Sequence, residues 1–215
     1  MVRCVELETL AATALAGLID DGVTTAVVPF GSVEHHGGHL PLGADALIAD
    51  AIGREVAGRL GGVLVPTVRV GDSGARVSLP GTMSVSAATL TAVAFDLSLS
   101  LASAGFRFIA LVSTHGGNRA ALDEAVRRVS VDRCVVFAPL GDLGSAPGSY
   151  SGEWLTSVML AVRPDLVDLG AVSEELKSEV AAASDGRGHE HFERFVESCV
   201  RAVLAVSGGG RQASL

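Results

Sequence analysis

Residues 28–45 read VPFGSVEHHGGHLPLGAD, which places Glu34, His35, His36, His39 and Asp45 within twelve positions. Three of the chain's six histidines stand here, beside two carboxylates. Carboxylate oxygens and imidazole nitrogens together form a donor set suited to Zn²⁺ or Mn²⁺. In extended backbone Glu34 and His36 point to one side and His35 to the other. A second cluster, STHGGN at 113–118, offers His115, and Gly116 and Gly117 let the backbone come close to a metal or a substrate. Plainer roles exist for each residue alone. Asp45 can cap the helix that follows it, and His35 and His39 can serve as loop residues bonded to backbone. HGGN alone is also compatible with a turn that holds no metal.

Both clusters follow apolar runs. TTAVVPF at 24–30 and FIALVS at 108–113 read as strands, the second buried on both faces. Further strands are expected at 62–68 and 134–138, and helices at 5–18, 46–60, 87–104, 119–129, 152–162 and 189–206. The long Ala/Leu/Ser helix at 87–104 is entered after Ser84 or Ser86. This alternation predicts an α/β fold, a three-layer α/β/α sandwich around a mainly parallel sheet. In such a sheet ligands gather at the carboxyl ends of the strands, where both clusters lie. Glycine-, serine- and proline-rich loops at 71–81 and 141–152 are long enough to suggest function. Residues 1–206 are expected to form one domain, with 207–215 as a flexible tail.

Composition narrows the function. Of 215 residues, 48% are apolar, which supplies a sizeable core, and the formal charge is −8 with no basic run. Nucleic acid and anionic membrane surfaces are therefore poor partners. No run of about 18 strongly apolar residues predicts a membrane span, and the first residues lack the shape of a signal peptide. Cys4, Cys134 and Cys199 are dispersed and form no CxxC pair, as expected of reduced thiols in a cytoplasmic protein.

The motifs resemble those of the creatininase-like metal-dependent amidohydrolases. The matching pieces are PFGSVEHHGGHLPLGAD at 29–45, VGDSGARVSLPGT at 70–82, STHGGN at 113–118 and GEWLTSVMLAVRPDLVDL at 152–169. The E-x-H-G-x-H-L-P-x-x-x-D string is the most specific of them. The resemblance covers residues 23–169 well and extends weakly toward the C-terminus. It implies a three-layer α/β/α fold and hydrolysis of a C–N bond in a small cyclic amide, a formamide or a short peptide. It also implies one or two divalent ions per subunit, Zn²⁺ and/or Mn²⁺, and closed homo-oligomers built from dimers, often hexamers. Glu34 and His115 would hold one ion, His36 the other, and Asp45 would bridge them. Glu34 and His36 would then act directly in catalysis.

The chain departs from the family pattern at several places. Where Ser-Gly-Glu-His is usual, it has Ser73-Gly74-Ala75-Arg76. Tyr150 stands where a histidine is often assigned acid–base work and is expected to act in catalysis in its place, and Leu155 stands where a glutamate commonly completes the second ion's shell. Gly117 occupies the place of a glutamate found in the creatininases proper. Glu153 can compensate as a metal ligand and catalytic residue if the chain is still extended there. If a helix has begun, two residues turn by about 200° and Glu153 faces away. Trp154 walls the pocket or plugs the core. The segment between Asp168 and His189 is shorter than is usual in the family. Three functions stay open: a metal-dependent hydrolase, a catalytically impaired metal-binding paralogue that acts as a scaffold, and a one-metal non-hydrolytic enzyme.

Overall fold

A computed structural model describes residues 4–129, 135–137 and 152–208. Among them, five strands form one parallel sheet in the order β1-β3-β2-β4-β5. The strands are β1 (Val5–Glu6), β2 (Thr25–Phe30), β3 (Val63–Leu64), β4 (Phe108–Ser113) and β5 (Val135–Phe137). The helices are α1 (Ala12–Asp20), α2 (Ala44–Leu60), α3 (Ala87–Ser103), α4 (Arg119–Arg128), α5 (Glu153–Val162), α6 (Lys177–Val180) and α7 (Asp185–Gly208).

Alternation along β2 and β4 sorts the core into two layers. Val27, Ala110 and Val112 pack with Ile48, Ile52 and Val56 of α2, Val158 and Met159 of α5, and Phe195 and Val196 of α7. Ala26, Val28, Ile109 and Leu111 face the other way, against Leu90 and Ala94 of α3 and Leu122 of α4. Leu15 and Ile19 of α1 join that second layer. Successive strand residues point to opposite faces, so two uniformly apolar strands demand helices on both sides. The expected three-layer α/β/α sandwich with a parallel sheet is the fold observed.

Local boundaries differ from the expectation in places. Residues 5–18 do not form one helix. Val5 and Glu6 pair with Val63 and Leu64 as a short edge strand, a 3-10 turn follows at Leu7–Thr9, and the helix starts only at Ala12. The strand expected at 62–68 is reduced to Val63–Leu64, with a separate bridge from Val68 to Phe30. Helix α7 starts at Asp185 and runs to Gly208, so the first two residues of the expected tail are helical. The remaining tail, Cys134, Tyr150 and the 141–152 loop before Gly152 lie outside the described residues. Ser86 caps α3 by accepting from the Thr89 amide at 3.2 Å. No helix among the described residues is long and apolar enough to cross a membrane.

Register decides what the sheet does. β2 and β4 pair from Thr25↔Phe108 through Phe30↔Ser113 and end level with each other. The loops that carry Glu34 and His115 therefore leave adjacent strands at the same height.

Candidate metal centre

The loop after β2 alternates as its sequence suggests. Glu34 and His36 are buried and His35 is only partly covered. The His35 amide donates to Thr82 Oγ1 at 3.0 Å, and its Nδ1 accepts from the Gly37 amide at 3.3 Å. His39 is buried as well, with Nε2 3.1 Å from Thr156 Oγ1 of α5, and its carbonyl accepts from the Asp168 amide at 3.0 Å. Both act as loop residues. The short 169–180 segment covers this loop, since a Cβ on Gly37 would touch Leu176 and one on Gly38 would meet the Ala171 carbonyl.

Asp45 is not a cap. Helix α2 is entered at Gly43 without a side-chain cap, and Asp45 lies inside the first turn. Gly31, at the end of β2, is pressed onto this turn: a Cβ there would overlap the backbone of Ala46. This close approach, open only to glycine, brings Asp45 against the strand ends. Ser32 Oγ donates to Asp45 Oδ2 at 2.7 Å, and Thr114 Oγ1 donates to the Asp45 carbonyl at 2.7 Å.

Glu34, Asp45 and His115 offer ligand atoms that all lie within 4.8 Å of one another. His115 Nδ1 is 3.1 Å from Asp45 Oδ2, and its Nε2 is 3.7 Å from Glu34 Oε2. His36 adds its Nε2, 3.4 Å from Asp45 Oδ2 and 3.5 Å from Glu34 Oε1. Four of the five expected metal ligands thus converge.

The chemistry of this set calls for a cation. His115 Nε2 lies 3.0 Å from the Asp72 carbonyl, which can only accept, so Nε2 carries the ring proton. Nδ1 then turns its lone pair on the Asp45 carboxylate, a contact that requires a proton or a metal ion between the two atoms. The bond to a carbonyl is the usual support of a metal-binding imidazole. Burial disfavours charge on His115, but the bond to Asp45 and the negative charges of Asp45 and Glu34 outweigh it and push the ring up to about 9. Burial likewise opposes the Asp45 charge. Bonds to His115 and His36 prevail, and hold the carboxyl far below the ordinary range. These residues fit a divalent ion.

Asn118, absent from the expected set, ties the site together. Fully buried, it donates from Nδ2 to the Gly31 carbonyl at 3.0 Å and to Ser113 Oγ at 3.3 Å, and accepts from the Asp72 amide at 2.9 Å. Three loops meet on one side chain. Its signal in the sequence is the asparagine of HGGN.

Glu153 belongs elsewhere. It opens α5, and its carboxylate accepts from Ser157 Oγ at 2.8 Å and Arg187 Nε at 2.6 Å, with His191 Nε2 3.1 Å away. Burial would raise its pKa, but these partners draw it down to about 2. Glu153 clamps α5 to α7 and is not a member of the metal-ligand group, which corrects the expectation that it compensates for Leu155. The reason is helical phase: with α5 begun at 153, Leu155 turns into the core, 4% exposed, and Glu153 turns toward α7. Trp154 packs in the same α5–α7 contact, its ring centroid 6.1 Å from that of Phe195 and 6.4 Å from that of His191. Tyr150, expected to act in catalysis, lies outside the described residues.

A model of the creatininase family, described as creatinine amidohydrolase, matches residues 8–213. A mycofactocin precursor peptide peptidase of Mycobacterium ulcerans (strain Agy99) is 36% identical over 151 residues, 66% of this chain and 59% of that protein. One from Mycobacterium tuberculosis (strain CDC 1551 / Oshkosh) is 30% identical over 212 residues, 82% of this chain and 83% of the relative. A creatinine amidohydrolase of Pseudomonas putida is 31% identical over 179 residues, covering 70% of this chain and 69% of its own length. Among solved structures, one titled "Creatininase Mn" superposes with a TM-score of 0.80 at 24% identity, over 95% of this chain and 99% of that one, a likeness of fold. With a family match across nearly its whole length and relatives named as amidohydrolases and peptidases, the chain belongs to the creatininase family.

Proposed function

We propose that this protein hydrolyses a C–N amide bond in a small cyclic amide, a formamide or a short peptide, using a divalent ion held by Glu34, Asp45 and His115. The observation that carries this reading is the convergence of those three ligand atoms, with His36 Nε2 beside them. The relatives' names span a cyclic amide and a peptide as substrates. Solved neighbours are titled as Mn and Zn–Zn forms, which supports Mn²⁺ or Zn²⁺ here.

A bound ion would supply Lewis acidity at the amide carbonyl and would acidify a water molecule. The chain's own residues do the rest. Asp72 fixes the His115 tautomer through its carbonyl. Ser32 and Thr114 hold Asp45 by side chain and backbone. Glu34 and His36 are both buried, with Oε1 and Nε2 3.5 Å apart, a separation at which one bridging water could carry a proton between them. In this reading residues 1–206 act as one domain in a cytoplasmic homo-oligomer built from dimers. Exposed Leu42, Val77, Leu79 and Met83 near the site loops support burial between subunits, and a monomer mass by light scattering at micromolar concentration would argue against it.

The test is metal-dependent stability. Zn²⁺ or Mn²⁺ at about a hundredfold excess over Kd should stabilise the metal-free protein by about 2.7 kcal/mol. Asp45→Ala should remove most of that gain. An equal thermal response in this variant would mean that the cluster is structural.

A further inference from the structure

Among the described residues, Glu34, Asp45 and His115 form a group for one ion, and none of the expected positions supplies a further carboxylate for a second. His36 Nε2 and Asp45 Oδ2 mark where a second ion would be held, with Glu34 Oε1 3.5 Å from the same nitrogen. Three sources of the missing carboxylate are closed. Leu155 is apolar and packed in the core with Ala44 and Leu40. Glu153 is engaged by Arg187, Ser157 and His191. Position 117 has no room for any side chain, because a Cβ there would overlap the Asp72 carbonyl and lie 2.5 Å from His115 Nε2.

A cation stands beside this place, at Glu34. Arg76 closes the 3-10 turn Gly74–Arg76, and its Nε lies 3.5 Å from Glu34 Oε1, the oxygen that also faces His36. The turn is anchored to the site. The Asp72 amide donates to Asn118 Oδ1 at 2.9 Å, and the Ser73 amide donates to Ser84 Oγ at 2.9 Å. The Arg76 side chain is 32% exposed and the Glu34 side chain only 4%, so the guanidinium spans from solvent to a buried carboxylate. A guanidinium keeps its charge through the working pH range and is less strongly hydrated than an ammonium.

We propose that Arg76 is a positioning residue that takes the electrostatic place of a second metal ion, so that the centre works with one ion and one guanidinium. The proposal rests on the metal reading given above. Arg76 neutralises Glu34 from the His36 side and presents positive charge to the open side of the site, where the oxygen of a substrate amide or a substrate carboxylate can meet it. It also repels a divalent ion from the pair His36 and Asp45.

The experiment is metal stoichiometry by native mass spectrometry and calorimetry, titrating Zn²⁺ into the metal-free protein. Wild type and Arg76→Lys should each take up one ion per chain. Arg76→Gln should bind that ion about tenfold more tightly, because Glu34 no longer shares its charge. Arg76→Glu should take up two. A glutamate carboxylate oxygen stands as many bonds from Cα as the arginine Nε, so it can occupy the Nε position and complete the second shell. Two ions bound by wild type would overturn the proposal and leave the metal reading standing. A wild type that binds none would overturn the metal reading itself. If Arg76→Glu folds and still binds one ion, or if Arg76→Gln binds no more tightly than wild type, Arg76 does not have this role.

Discussion

Gly117→Ala adds one methyl group at a point where the structure leaves no space. The new Cβ would overlap the Asp72 carbonyl and sit 2.5 Å from His115 Nε2, two atoms that are bonded to each other at 3.0 Å. Neither neighbour is the free end of a flexible chain. The carbonyl belongs to a loop pinned by Asn118 at the Asp72 amide, and the ring is held at Nδ1 by Asp45. Something must move, and the weakest link is the bond between them. Overpacking costs about 1–3 kcal/mol, and the lost hydrogen bond about 1 more. The sum is roughly 2–4 kcal/mol, or a fall in Tm on the order of 10 °C for a chain of this size. A second effect is separable from the first. With Asp72 displaced, nothing fixes the tautomer or tilt of His115, and losing such support usually weakens metal binding about 10–100-fold. Differential scanning fluorimetry of the metal-free variant reads the first effect, and Zn²⁺ calorimetry reads the second. If Tm falls by less than about 2 °C and the Zn²⁺ affinity is unchanged, the loop absorbs the methyl and the Asp72–His115 contact does not organise the site.

Other variants test other contacts. Asn118→Ala removes the side chain on which three loops meet and leaves the Gly31 carbonyl and the Asp72 amide without that partner. The expected loss is roughly 2–4 kcal/mol, and a denaturation midpoint equal to wild type would refute its part as a hub. Leu155→Glu places a carboxylate in the apolar layer beside Val158 and Met159. The metal-free protein should lose at least about 3 kcal/mol, and a small loss would mean that the site opens to solvent. Glu153→Gln should leave Zn²⁺ affinity unchanged while lowering stability at neutral pH. The folded pKa of Glu153, about 2, lies below its ordinary 4.5. Its contribution is therefore present above about pH 4.5 and lost as pH falls toward 2. The gap between wild type and variant should close over that range in acid unfolding curves, and a gap that stays constant would contradict the clamp.

The legible parts of this fold are those governed by burial. AVVPF of β2 and FIALV of β4 are unbroken apolar runs, a pattern that only a strand covered on both faces needs, and both strands were expected close to their observed bounds. The nearness of Glu34, His36, Asp45 and His115 was legible from their donor types at the ends of two expected strands, and their assignment as ligands came from the family resemblance. Contacts between distant segments were not. Val5 and Glu6 read as the start of a helix because nothing local reveals their pairing with Val63 and Leu64. Asp45 read equally well as a cap, because the approach of Gly31 to α2 is a tertiary fact. Arg76 appeared only as a departure from a pattern, and its distance to Glu34 depends on how the 71–85 segment lies across the strand ends. Whether Glu153 could serve as a ligand turned on where α5 starts, a matter of a single residue.

The level ends of β2 and β4 have a consequence for kinetics. Glu34 and His115 are far apart in the chain and meet only when the register from Thr25↔Phe108 to Phe30↔Ser113 is complete. Until the two central strands have paired, the chain can offer an ion only the ligands of the 34–45 loop, without His115. Contacts of such long sequence separation are slow to form, so an ion that arrives afterwards locks a finished sheet and does not nucleate it. Metal should therefore leave the refolding rate near its metal-free value and act almost wholly on the unfolding limb of the chevron. A loaded protein and a bare one would fold alike, and differ in how long they last.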